Sequence, residues 1–131
     1  MQKELIMKLI DKAREASDNA YCPYTNTAVG CALLTDDNVI FTGCNIEFRE
    51  LSSCASAGDV TVLKAISEAY TKFKAVCFFS AETMPFPGGS VAGALGEFNP
   101  MIEIIVATDE TYSIHNLYEL FPFLPEGPRI E

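Results

Sequence analysis

With 131 residues, 49% of them apolar, the chain has ample material for one core and suits a single domain spanning residues 1–131. A net charge of −9 excludes a phosphate-backbone binder, which needs clustered Lys and Arg, so no nucleic-acid partner is expected. No apolar run approaches the ~18 residues of a membrane span, so no membrane association is expected either. In chain order, Met1–Ser17 places apolar residues at 5, 6, 9, 10 and 13, a helical stripe, and its alternating charges do not suit a secretory signal. Ala28–Thr35 is a buried strand, Asp36-Asp37-Asn38 a turn and Val39–Cys44 a second strand, which together form an antiparallel hairpin. Cys54–Tyr70 reads as a mostly buried helix opened by Ser52 and Ser53. Ala75–Ser80 is a short buried strand. Gly88–Phe98 is a helix weakened by four glycines, each costing up to ~1 kcal/mol relative to Ala. Ile102–Ala107 is a further buried strand and Ile114–Phe121 a short terminal helix. A hairpin followed by alternating helices and strands indicates an α/β sandwich with a mixed sheet.

The cysteines at 22, 31, 44, 54 and 77 are odd in number, scattered and without a C-x-x-C, so they read as free thiols in a reducing cytoplasm. His115, the single histidine, stands alone in the terminal segment and reads as a surface or capping residue. Glu50 reads as a solvated charge in the loop before the Cys54 helix.

Five short stretches carry a resemblance. They are Pro23-Tyr24-Thr25-Asn26 with Val29–Leu33, Phe41–Glu47, Cys54-Ala55-Ser56 answered by Pro87–Val91, Leu95 with Glu97-Phe98, and Leu120-Phe121-Pro122. In this order they resemble the small, single-domain cytidine deaminases. The short interval from Glu47 to Cys54 resembles the blasticidin S deaminase branch. The resemblance implies a three-layer α/β/α sandwich with a five-stranded mixed sheet. It also implies that the helices beginning near Cys54 and Gly88 lie side by side with their N-termini together.

That family's site has a Cys or His two residues before a Glu, then a P-C-x-x-C supplying two more thiolates to zinc. By the resemblance, Cys54 is the first ligand, Ser56 stands at the position of the acid/base Glu, and Gly88 and Val91 stand at the two later thiolates. Zinc needs three protein ligands and a water, so one thiol cannot hold it; no catalytic residue and no zinc cofactor are expected. Ala57 and Ala92 replace the arginines that would offset thiolate charge. The vacated pocket would be framed by Cys54, Ser56, Pro87, Gly88, Gly89, Ser90 and Val91. Asn45, Glu47, Ala55 and Thr27 occupy the substrate-facing positions, with Thr27 where the family has a stacking Phe. Asn45 and Glu47 would hold ribose hydroxyls, or simply cap a strand end.

Three functions follow. One is a pseudo-deaminase acting as a binding or assembly partner, with a nucleoside or small anion as ligand. Another is a functioning cytidine or blasticidin-type deaminase with an unorthodox site. The third is an anion or small-molecule module in the emptied pocket. By the resemblance, the assembly is a homo-oligomer, a tetramer.

Overall fold

The computed structural model describes residues 1–124. Helix α1 (Lys3–Ser17) follows from its stripe: Ile6, Leu9, Ile10, Ala13 and Ala16 are buried and the charged residues face outward. It lies directly on strand β1 (Gly30–Thr35), which is buried along its whole length. A Cβ built on Gly30 would fall 1.8 Å from the Ala13 carbonyl oxygen, so only glycine allows this approach. Asn38, at φ 66°, closes the turn to strand β2 (Ile40–Cys44), and the pair is antiparallel from Gly30 opposite Cys44 to Leu34 opposite Ile40.

Helix α2 (Ala57–Ser67) carries the chain to strand β3 (Phe73–Phe79) on the other side of β1. Helix α3 (Gly89–Phe98) then connects β3 to the parallel strand β4 (Glu103–Ala107), and β5 (Tyr112–Asn116) pairs antiparallel with β4 before the single turn of α4 (Leu117–Leu120). The sheet is five-stranded and mixed, in the order β2-β1-β3-β4-β5. One core lies between the sheet and α1, including Leu9, Leu34 and Phe79. The other lies between the sheet and the α2/α3 layer, including Leu33, Val62, Val76 and Leu95. Each such fully buried side chain contributes roughly 1.5–3 kcal/mol of transfer free energy.

Two expectations are corrected. The second long helix begins at Ala57, not Cys54: Ser56 caps it by accepting from the Asp59 N–H at 3.1 Å, whereas Leu51–Ser53 forms a separate 3-10 turn. The expected terminal helix Ile114–Phe121 is split. Residues through Asn116 form edge strand β5, because ladder bonding to β4 outweighs the local helical spacing, and only Leu117–Leu120 is helical.

Topology fixes where a site can lie. β2 and β3 are each antiparallel to β1, so both end at the same side of the sheet, where the first begins. The connections leading to α2 and α3 therefore open side by side at the strands' carboxyl ends, the usual location of a ligand crevice in an α/β sheet.

Candidate functional site

A cavity of about 160 Å³ lies at that end of the sheet. Ser56, Ala57 and Gly58 at the start of α2 and Pro87, Gly88 and Val91 at the start of α3 form two of its walls. Val29, Asn45, Phe78 and Phe86 form others. The helix N-termini are in direct contact. Ser90 Oγ donates to Asp59 Oδ1 at 3.2 Å, and a Cβ on Gly58 would come within 2.8 Å of Val91 Cγ2. Asp59 thus sets a carboxylate against the first turns of both helices, where backbone N–H groups and the helix dipoles favour negative charge. Asp59 was absent from the sequence-derived site, although Ser56-x-x-Asp59 is a legible N-terminal capping pattern.

The sequence-derived site residues are distributed as follows. Ser56, Pro87, Gly88, Val91 and Asn45 line the cavity, while Gly89 and Ser90 lie on the adjoining exposed first turn of α3. Cys54 is exposed and does not line it. Its Sγ accepts from the Phe48 N–H at 3.2 Å and donates to the Phe48 carbonyl at 3.4 Å. The next residue, Ala55, is tied to Ile46 by paired backbone bonds of 2.9 Å, which holds Cys54 over the 48–50 turn. Glu50 is exposed and accepts from Ser52 Oγ.

Asn45 and Glu47 organise the 21–29 segment. Asn45 Oδ1 accepts from the Val29 N–H and its Nδ2 donates to the Thr27 carbonyl, both at 2.8 Å. Glu47 accepts from Thr25 Oγ1 at 2.6 Å and from the N–H groups of Tyr24 and Thr25 at 3.0 and 3.1 Å. The Thr25 hydroxyl, with those backbone donors, holds the Glu47 carboxyl below the usual carboxylate range. Thr27 lines a neighbouring groove with Ser80 and Glu82.

The donor set does not fit zinc. Gly88 and Val91 offer no ligand atom, Ser56 offers a neutral hydroxyl already accepting a bond, and the Cys54 thiol is engaged outside the cavity. Among the described residues, no group of three or more His, Cys, Asp or Glu is placed to hold a metal ion. Other thiols do not rebuild the site. Cys31 and Cys77 are fully buried in the sheet; burial pushes the Cys31 thiol up to about 12 and raises that of Cys77 further.

Comparison with known proteins identifies the fold first. The crystal structure of cytidine deaminase from Burkholderia pseudomallei matches with a TM-score of 0.85 at 26% identity, covering 95% of this chain and 99% of that one. The family profile described as "Cytidine and deoxycytidylate deaminase zinc-binding region" matches residues 3–87. A probable cytidine deaminase of Dictyostelium discoideum is 32% identical over 126 residues, 95% of this chain and 86% of that protein. A cytidine deaminase of Sporosarcina psychrophila is 35% identical over 94 residues, 71% of this chain and 69% of that protein. The chain belongs to the cytidine and deoxycytidylate deaminase family.

Proposed function

We propose that this family member performs no zinc-dependent hydrolysis and acts as a binding or assembly partner. The observation that carries the reading is the composition of the cavity wall where α2 and α3 meet. Its key positions hold the Ser56 hydroxyl, the Gly88 hydrogen and the Val91 isopropyl group, and no residue lining the cavity titrates near neutral pH. A hydrolytic deaminase needs a metal-activated water and a carboxyl group that shuttles protons. Among the described residues that line the cavity, none has a side chain to supply either.

The cavity retains apolar walls in Phe78, Phe86 and Val29 beside the Asn45 amide, which suits the flat face of a small ring. Nucleoside binding would be weak. Thr27 provides no stacking surface, worth roughly 1–3 kcal/mol per base, and Asn45 and Glu47 already have internal partners. The Asp59 carboxylate opposes a small anion at the same helix termini. Exposed Leu63 and Leu51 favour burial against further copies of the chain, as in a homotetramer. Free thiols favour a reducing, cytoplasmic setting.

The rival reading, an active deaminase with an atypical site, is favoured by the names of the relatives. It requires a carboxylate in the cavity, whereas Asp59, on the first turn of α2, does not line it and accepts from Ser90. Elemental analysis of the purified protein tests the proposal. Markedly substoichiometric zinc is expected, and one zinc per chain would overturn it. A sedimentation mass of one chain would remove the assembly part.

A further inference from the structure

The far edge of the sheet carries a second constellation, separate from the deaminase-family positions. Ser113 and His115 on β5 lie opposite Val106 and Ile104 of β4. Alternate strand residues share a face, and Val106 and Ile104 belong to the core on the α2/α3 side. Ser113 Oγ is 2.7 Å from His115 Nε2, and His115 Nδ1 is 3.3 Å from Glu119 Oε1. An ionised carboxylate only accepts hydrogen bonds. In the neutral tautomer with its proton on Nδ1, that nitrogen donates to Glu119 and Nε2 accepts from the Ser113 hydroxyl. One neutral tautomer satisfies both contacts.

The surroundings hold this order in place. Asn116 Oδ1 accepts from the Glu119 N–H at 2.8 Å, which sets the backbone of the short helix that presents the carboxylate. The ring of Phe86 meets that of His115 edge-on with centroids 5.5 Å apart. Ser113 and His115 are half-buried, so both are reachable while partly shielded. Phe86 also lines the cavity, and so provides an apolar surface beside the imidazole. A hydroxyl bonded to an imidazole nitrogen, with the second nitrogen oriented by a carboxylate, is the arrangement that activates serine for acyl transfer, and it recurs on unrelated folds.

We propose that Ser113 and His115 form an acyl-transfer site, with Glu119 as the positioning residue, for small esters bearing an apolar acyl or aryl group. Ser113 Oγ adds to the ester carbonyl carbon while Nε2 takes its proton. The carbonyl carbon–alkoxy oxygen bond breaks, and the alcohol departs with the proton held on Nε2. Water then gives a proton to the same nitrogen as its oxygen attacks the acyl-serine. The carboxylic acid leaves and Ser113 regains its proton. The sum is ester plus water giving acid plus alcohol, with no change of oxidation state.

The test uses the full chain with its accessible thiols capped by iodoacetamide, because exposed Cys54 would itself accept an acyl group from an activated ester. The probes are p-nitrophenyl acetate for turnover and an alkyl fluorophosphonate for covalent labelling mapped by peptide mass spectrometry. Labelling at Ser113 and catalytic release of nitrophenol are expected. Ser113→Ala should bring release to the level of free buffer, and His115→Gln should lower kcat by about a hundredfold or more. Glu119→Gln should lower kcat by at least about tenfold with KM unchanged, partly restored in Glu119→Asp. The proposal is overturned if the folded wild-type chain takes no label at Ser113. It is equally overturned if Ser113→Ala, folded by circular dichroism, releases nitrophenol as fast as wild type, or if Glu119→Gln leaves kcat unchanged.

Discussion

Replacing Gly88 and Val91 by cysteine would place two thiols on the cavity wall, which Cys54 could join only by leaving Phe48, and the structure sets the scale of the effects. A Cβ at Gly88 meets nothing within 4 Å, and the residue's φ of −82° is open to any side chain. That substitution should cost little. Val91 is 2% exposed and packed against Gly58, so Val91→Cys removes buried volume at a cost of about 1 kcal/mol. Without metal the double variant should thus be about 1 kcal/mol less stable than wild type. Zinc at a hundred times its dissociation constant would add about 2.7 kcal/mol, or a rise in Tm of roughly 10 °C for a chain of this size. Scanning calorimetry under reducing conditions, with and without zinc, reads both numbers. Wild type should not respond. The reasoning is refuted if zinc raises the wild-type Tm as much as the variant's, since the native residues would then hold the metal. It is also refuted if the folded variant gains nothing, since Cys54 would then be unable to leave Phe48 and join the helix termini.

Three further outcomes are expected. Ser56→Ala should lower stability by about 1 kcal/mol in urea titration through loss of the α2 cap; a loss below a few tenths would show that the cap contributes nothing. In native-state alkylation at pH 8, Cys54 should be modified while Cys31 and Cys77 are spared, because these two are buried and their thiols are raised well above the assay pH; equal modification of all three, read by peptide mass spectrometry, would contradict the packing. The Glu47 carboxyl is lowered on folding, so its contribution is complete above the unfolded value of about 4.3 and disappears as pH falls through the lower folded value. The Tyr24 and Thr25 amide resonances should therefore hold steady down to that range and shift together below it, whereas a shift centred between pH 6 and pH 7 would exclude Glu47 as their acceptor.

Much of this architecture was legible in the chain because its signals are local. The stripe of α1, the Asp36–Asn38 turn and the continuous apolar runs of β1, β3 and β4 each declare their element within a few residues. The β5 edge strand was missed although Tyr112-Ser113-Ile114-His115-Asn116 alternates in burial, because Ile114, Leu117, Tyr118 and Phe121 also satisfy helical spacing and only pairing with β4 decides between them. The start of α2 was misplaced because three nearby serines compete as caps, and Ser56 prevails through its bond to Asp59. Five of the expected site residues, Asn45, Ser56, Pro87, Gly88 and Val91, do line one cavity, but the contacts around it were not legible. That Glu47 serves the Tyr24–Thr25 loop and that Ser90 meets Asp59 depends on residues 22 and 31 positions apart. The Ser113–His115–Glu119 order emerges only where a strand runs directly into a helical turn.

Whether this deaminase-family chain hydrolyses cytidine is read from the conversion of cytidine to uridine by the purified protein at high enzyme concentration in zinc-replete buffer. With Ser56, Gly88 and Val91 lining the cavity, the expected rate is indistinguishable from the enzyme-free control. Uridine formation that scales with protein concentration and disappears on chelation would contradict it.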